Sequence, residues 1–190
     1  MEKTGFRLPI LATALAAGMG ALFGAAPSPA PAREERIVPG DGDARALRHI
    51  VEKRDETWGW QRLMGVQLTP HEASAARSGS PAYRRWVLRL WERRAYRAWM
   101  QAHDPPHRAD WLCIHRYEGA WNDPDPPYYG GLQMDTSFQR TYGPELLRRK
   151  GTADSWTPLE QMWVAERAHR RGRGFYPWPN TARLCGLIEQ

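Results

Sequence analysis

The stretch Trp111–Gly143, WLCIHRYEGAWNDPDPPYYGGLQMDTSFQRTYG, carries the reading of the fold. Its first nine residues predict a helix with Glu118 in the last turn and Gly119 just beyond, where a left-handed cap is expected. Trp121-Asn-Asp-Pro-Asp-Pro-Pro127 is turn chemistry. Tyr128 and Tyr129 then supply flat rings with polar tips, and Gly130 and Gly131 allow close backbone approach or positive φ. Asp135 is placed to cap a short helix through Tyr142 that ends at Gly143.

Beyond this stretch, Thr157-Pro-Leu-Glu160 is a capping box with proline at the first helical position. The helix it opens turns Leu159, Met162 and Trp163 inward and stops near Gly172. Glu166 projects onto the same inward face, where a buried ion pair with an arginine is the expected role and assistance in catalysis the alternative. Before the stretch, Pro105-Pro106 marks a boundary. Ser80-Pro81 opens a helix with Tyr83, Trp86, Val87, Leu90 and Trp91 at apolar spacing and Arg84, Arg85, Arg89 and Arg93 around the rest. Arg94 and Arg97 interrupt that stripe. The helix reads as one packed on a neighbour with a solvated arginine face, or as a basic amphipathic helix for an anionic envelope surface. Further back, Asp43 is expected to cap a helix carrying Leu47, Ile50, Val51 and Trp58 and ending at Gly59. Thr69-Pro-His-Glu72 has the form of another capping box. Arg33–Asp43 reads as linker, and no internal repeat occurs.

The chain has 190 residues, a length for one domain or a small domain with appendages. Its 42% hydrophobic and 25% charged residues exclude a collagen-like, coiled-coil or wholly disordered protein. The formal charge is +6, but 24 of the 27 basic residues are arginine, a skew that is weak ground for nucleic-acid binding. Ten tryptophans suit a small core or a stacking groove for sugars or bases. Residues 1–32 have the layout of a secretory signal peptide: basic Lys3 and Arg7, an apolar run from Leu8 to Phe23, and Ala30-Pro31-Ala32 as a cleavage site. The chain is therefore expected to be secreted or wall-associated, with membrane contact only if this segment stays uncleaved. An oxidising compartment favours a disulfide between Cys113 and Cys185, the two cysteines present. Six scattered histidines make no zinc constellation, and no metal or cofactor is expected.

Glu118 is the residue with chemistry to offer. A carboxylate at the negative end of a helix dipole, near Tyr117 and Trp121, is disfavoured in its ionised form. That suits a general acid. Taken alone, the feature also fits a solvated glutamate at a frayed helix end.

Glu118-Gly-Ala-Trp121, Tyr128-Tyr-Gly-Gly-Leu-Gln133, Tyr142-Gly143, Glu160-Gln161, Val164-Ala-Glu166, Trp178-Pro179 and Cys185-Gly186, in that order, resemble the resuscitation-promoting factor (transglycosylase-like) domain. The resemblance spans roughly residues 108–188 and leaves 33–105 uncovered. It implies a small lysozyme-like domain over 106–190, mainly helical with a short β-hairpin; with the helical extension that the apolar spacing predicts over 33–105, the chain is expected to be α+β and mainly helical. It also implies muralytic activity on the β-1,4 bond between N-acetylmuramic acid and N-acetylglucosamine, with Glu118 as the catalytic acid. Tyr128, Tyr129 and Gln161 correspond to substrate-binding positions, and Trp121 and Gln133 stand beside them in the matching motifs. The chain departs from the family twice. Cys113 lies five residues before Glu118, where the family cysteine directly precedes the acid. Phe138 replaces a ligand-binding threonine. Peptidoglycan strands are the expected partner, with a peptidoglycan endopeptidase a further candidate. A wall-associated module that binds glycan without cutting it is the competing function.

Overall fold

The computed structural model describes residues 40–71, 77 and 79–189. The expected export segment, residues 1–32, lies outside them, as does Glu72 of the expected Thr69–Glu72 capping box. The described residues are mainly helical with one small antiparallel sheet. Two long helices, α1 (Asp41–Met64) and α2 (Pro81–His103), pack side by side. There follow α3 (Arg108–Glu118), β1 (Tyr128–Tyr129), β2 (Met134–Asp135), α4 (Thr136–Tyr142), α5 (Pro144–Lys150), a 3₁₀ turn, α6 (Pro158–Ala168) and α7 (Pro179–Leu184). No helix among the described residues is long and apolar enough to cross a membrane.

The start signals act as their chemistry dictates. The Ser80 hydroxyl accepts from the Tyr83 N–H at 3.2 Å, and Asp135 accepts from the Phe138 N–H at 2.7 Å. Thr157 and Glu160 form the reciprocal capping box, and Glu160 also binds Lys150 at 2.7 Å. Burial opposes ionisation of Glu160, but the Lys150 ammonium and the Thr157 N–H outweigh it and hold the carboxyl below its ordinary range. The helix after Thr157 ends at Ala168 and passes into a π-type turn, His169–Arg173, in which Gly172 takes φ 83°.

Several expectations fail where a distant partner decides. The first helix does not end at Gly59. It runs on to Met64 and is capped by Gly65 at φ 64°. Burial of Met64, with Trp60 and Leu63 packed around Ala98, Ala102 and Trp163, outweighs the roughly 1 kcal/mol that a mid-helix glycine costs. Asp43 is not the cap. It sits inside the first turn and binds buried Arg84 through both oxygens, Nε to Oδ1 at 3.1 Å and Nη2 to Oδ2 at 2.6 Å. Arg84 also donates to the Gly79 carbonyl. This guanidinium thus occupies a core position on α2, while Tyr83 and Trp86 turn outward. Pro70 and His71, expected to open a helix behind Thr69, are not helical; the Thr69 hydroxyl and N–H both bind the Gln61 amide, and its carbonyl accepts from Trp58.

The α1–α2 pair is joined to the rest through α6. The Trp163 indole donates to the Ala102 carbonyl at 2.7 Å, and Arg167 donates to the Leu63 carbonyl at 2.8 Å. A second cluster, built on Trp111, Ile114, Leu132, Met134, Val164 and Trp178, fills the space between α3, the hairpin and α6.

Candidate active site

Glu118 closes α3, and Gly119 follows it in extended backbone at φ 173°, not in the left-handed cap expected there. A Cβ here would stand 3.0 Å from both Asp123 Oδ2 and Gln133 Nε2 and would push these side-chain ends aside. Glu118 is half-buried, and its Oε1 accepts from the Thr181 hydroxyl at 2.7 Å. Oε2 accepts no hydrogen bond from any described side chain. Tyr117 points to solvent, and Trp121 stacks on His115 with centroids 4.0 Å apart.

Thr181 belongs to α7, which is tied to α3 by a disulfide between Cys113 and Cys185 with Cα atoms 6.0 Å apart. The two cysteines therefore pair although Cys113 sits one turn earlier than in the family pattern. Sequence reading missed Thr181, yet a signal was present. In an antiparallel pair pinned at 113 and 185, five residues onward on one helix face four residues back on the other.

The hairpin stands on the far side of Gly119. Tyr128 pairs with Asp135 and Tyr129 with Met134. Alternation across the strand exposes Tyr128 and leaves Tyr129 partly packed on the core. Gly131 has no room for a side chain, since a Cβ would lie 2.6 Å from His115 Nδ1 and 2.7 Å from the Trp121 ring. Gln133 is held at φ 45° and donates to Asp123 Oδ2 at 2.9 Å and to the Gly130 carbonyl at 3.0 Å. Its amide thus braces the loop beside Glu118.

Gln161 is fully buried beneath the hairpin. Its amide nitrogen reaches the carbonyls of Trp121, Ala153 and Trp156 at 2.7, 2.8 and 3.1 Å. Its Oε1 lies where a Cβ on Gly130 would come within 2.6 Å. Gln161 therefore clamps the Trp121 turn to α6 from inside, and Trp121, Tyr128 and Tyr129 are the predicted binding residues nearer the surface. Phe138 packs against Trp178 and Tyr142, at 5.5 and 4.7 Å between centroids, and fills volume under the hairpin.

Glu166 is fully buried, as its helical phase predicts, but its partner is not arginine. Oε1 accepts from the His107 N–H and the Trp111 indole, both at 2.8 Å, and the His107 ring lies 3.2 Å from each oxygen. The carboxylate thus caps the positive end of α3. His169 lies against the His107 ring at 4.1 Å, so two histidines expected to be scattered meet at one carboxylate. Burial, with His107 beside it, pushes the His169 imidazole below its ordinary value. Removing this anchor leaves two buried N–H groups without an acceptor. Glu166→Ala, which removes the acceptor of both donors, should destabilise the fold by about 2–4 kcal/mol. Urea denaturation measures the loss; an unchanged midpoint would assign the anchoring role elsewhere.

A cavity of about 360 Å³ opens between α1, α5 and α6, lined by residues that include Glu56, Trp60, Glu145 and Arg167. None of the residues around Glu118 lines it. No protein-family model, curated protein or solved structure matches this chain.

Proposed function

We propose that the chain cleaves peptidoglycan glycan strands at the β-1,4 bond between N-acetylmuramic acid and N-acetylglucosamine, on a small lysozyme-like domain, with Glu118 as general acid. The observation that carries this reading is the fixation of one Glu118 oxygen by Thr181 while the other stays available, beside a hairpin that presents Tyr128. Glu118 protonates the glycosidic oxygen as an oxocarbenium-like centre develops at the muramyl anomeric carbon. The resulting carboxylate then takes a proton from the muramyl 6-hydroxyl, giving a 1,6-anhydro product, or from water, giving a hydrolysed one. The exposed tyrosine supports an apolar sugar face, and the disulfide keeps α7 in register with the acid.

Thr181 is a positioning residue in this scheme. Thr181→Ala should lower kcat about ten-fold with little change in KM, because the carboxyl loses its fixed orientation while the groove is untouched. Thr181→Ser keeps the donor and should restore most of the rate. A change confined to KM would place Thr181 outside this role.

The reading is tested by incubating the purified chain with insoluble peptidoglycan and following both retention on the solid and release of soluble glycan. Release supports an enzyme. Retention without release supports a non-catalytic wall-binding protein.

A further inference from the structure

The outer face of α2 has an unusual composition. Helical phase places positions 85, 86, 89, 93, 96, 97 and 100 within about 120° of the circumference. All of them are exposed, while the opposite face, through Val87, Trp91 and Ala95, is buried. The exposed arc carries four arginines: Arg85, Arg89, Arg93 and Arg97. None of these bridges a carboxylate among the described residues. Between them stand three large apolar side chains, Trp86, Tyr96 and Met100.

Two further aromatics extend the face. Tyr83 stacks on Trp86 at 5.6 Å and 27°, and Tyr96 on Trp99 at 6.1 Å and 21°. Glu92 stands at the edge of the arc and lines a shallow recess with Lys53 of α1.

We propose that this face of α2 lies on an anionic lipid surface. Guanidinium groups on long stems reach lipid phosphates, while Trp86, Tyr96 and Met100 enter the headgroup region between them. The geometry favours lipid over a soluble polyanion or a nucleic acid. The face runs along one side of a single helix for roughly 22 Å between positions 85 and 100, a shape that suits a plane better than a strand. The aromatic rings are stacked in pairs on one another and so cannot sandwich a base, and Met100 contributes only by apolar insertion.

The proposal is tested by co-sedimentation of the full chain with vesicles of equimolar phosphatidylglycerol and phosphatidylcholine, and with vesicles of phosphatidylcholine alone. The expected result is at least about ten-fold tighter binding to the anionic vesicles, weakening as salt rises. Each Arg→Gln change at 85, 89, 93 and 97 should lower that binding about five-fold, the equivalent of about 1 kcal/mol per basic side chain. The four together should abolish the preference. Trp86→Ser with Met100→Ser should lower anionic-vesicle binding about ten-fold while keeping the preference. These side chains are exposed, so matching melting curves should show that the variants fold. Equal binding of the wild-type chain to both vesicle types overturns the proposal. So does an anionic preference retained in the four-arginine variant. So does binding to soluble polyphosphate, insensitive to Trp86 and Met100, without vesicle binding. Glycan cleavage enters none of these measurements, so the outcome is independent of the function proposed for Glu118.

Discussion

Glu118→Gln should reduce release of soluble glycan from peptidoglycan by about 10² or more. The substitution keeps the size of the side chain and can still accept a hydrogen bond from Thr181, so the end of α3 and its contact with α7 should persist. What it removes is the proton. Without an acid, the leaving sugar must depart as an alkoxide, and general acid catalysis at such a centre contributes about 10²–10⁴-fold. Glycan binding should be nearly unchanged, because the variant alters protonation and leaves the exposed Tyr128 ring untouched. A Glu118→Gln protein that keeps most of the wild-type rate would remove Glu118 from the chemistry.

Opening the Cys113–Cys185 bridge should have the largest effect on stability. The bond closes a loop with a sequence separation of 72, and in the chain-entropy model this amounts to about 4 kcal/mol. Thermal unfolding should therefore fall by something on the order of 10 °C on reduction, and similarly for Cys113→Ala with Cys185→Ala. Activity should fall before the fold is lost, since the bridge holds α7, and with it Thr181, against Glu118. Scanning calorimetry with and without reductant measures the first effect, and glycan release at a temperature where the reduced chain remains folded measures the second. Equal melting temperatures would mean that packing of Trp178 and Ala182 alone secures α7.

The parts of the fold legible in the sequence are those written within a few residues. Ser80, Asp135 and Thr157 each bind an N–H three positions on, so their chemistry could be read in place. The cysteine pairing was also legible, because two cysteines leave one way to pair. The hairpin came from resemblance to a known domain, not from its two-residue strands, which are too short to show alternation. What was hidden depends on partners far apart in the chain. Arg84 looks like a surface residue until Asp43, forty-one positions earlier, is found beside it. Its burial also rotates α2 and brings Tyr83 and Trp86 outward. Glu166 is buried as its phase requires, but only the fold shows that a histidine and an indole from the start of α3 take the place of an arginine. At the candidate site, the place of Glu118 in the last turn of α3 was legible, but its hydrogen bond to Thr181, sixty-three positions on, was not. The enclosure of Gln161 was not, because three carbonyls from two separate turns converge on it.

Mass spectrometry of the soluble fraction after incubating purified peptidoglycan with the chain tests the proposed chemistry most directly. The expected products are muropeptides ending in 1,6-anhydro-N-acetylmuramic acid or in reducing N-acetylmuramic acid, present with the wild-type chain and missing with Glu118→Gln. Glycan strands left intact by a folded, disulfide-bonded wild-type chain, or cut equally well by the Glu118→Gln variant, would contradict the assignment of Glu118 as the acid of a muralytic enzyme.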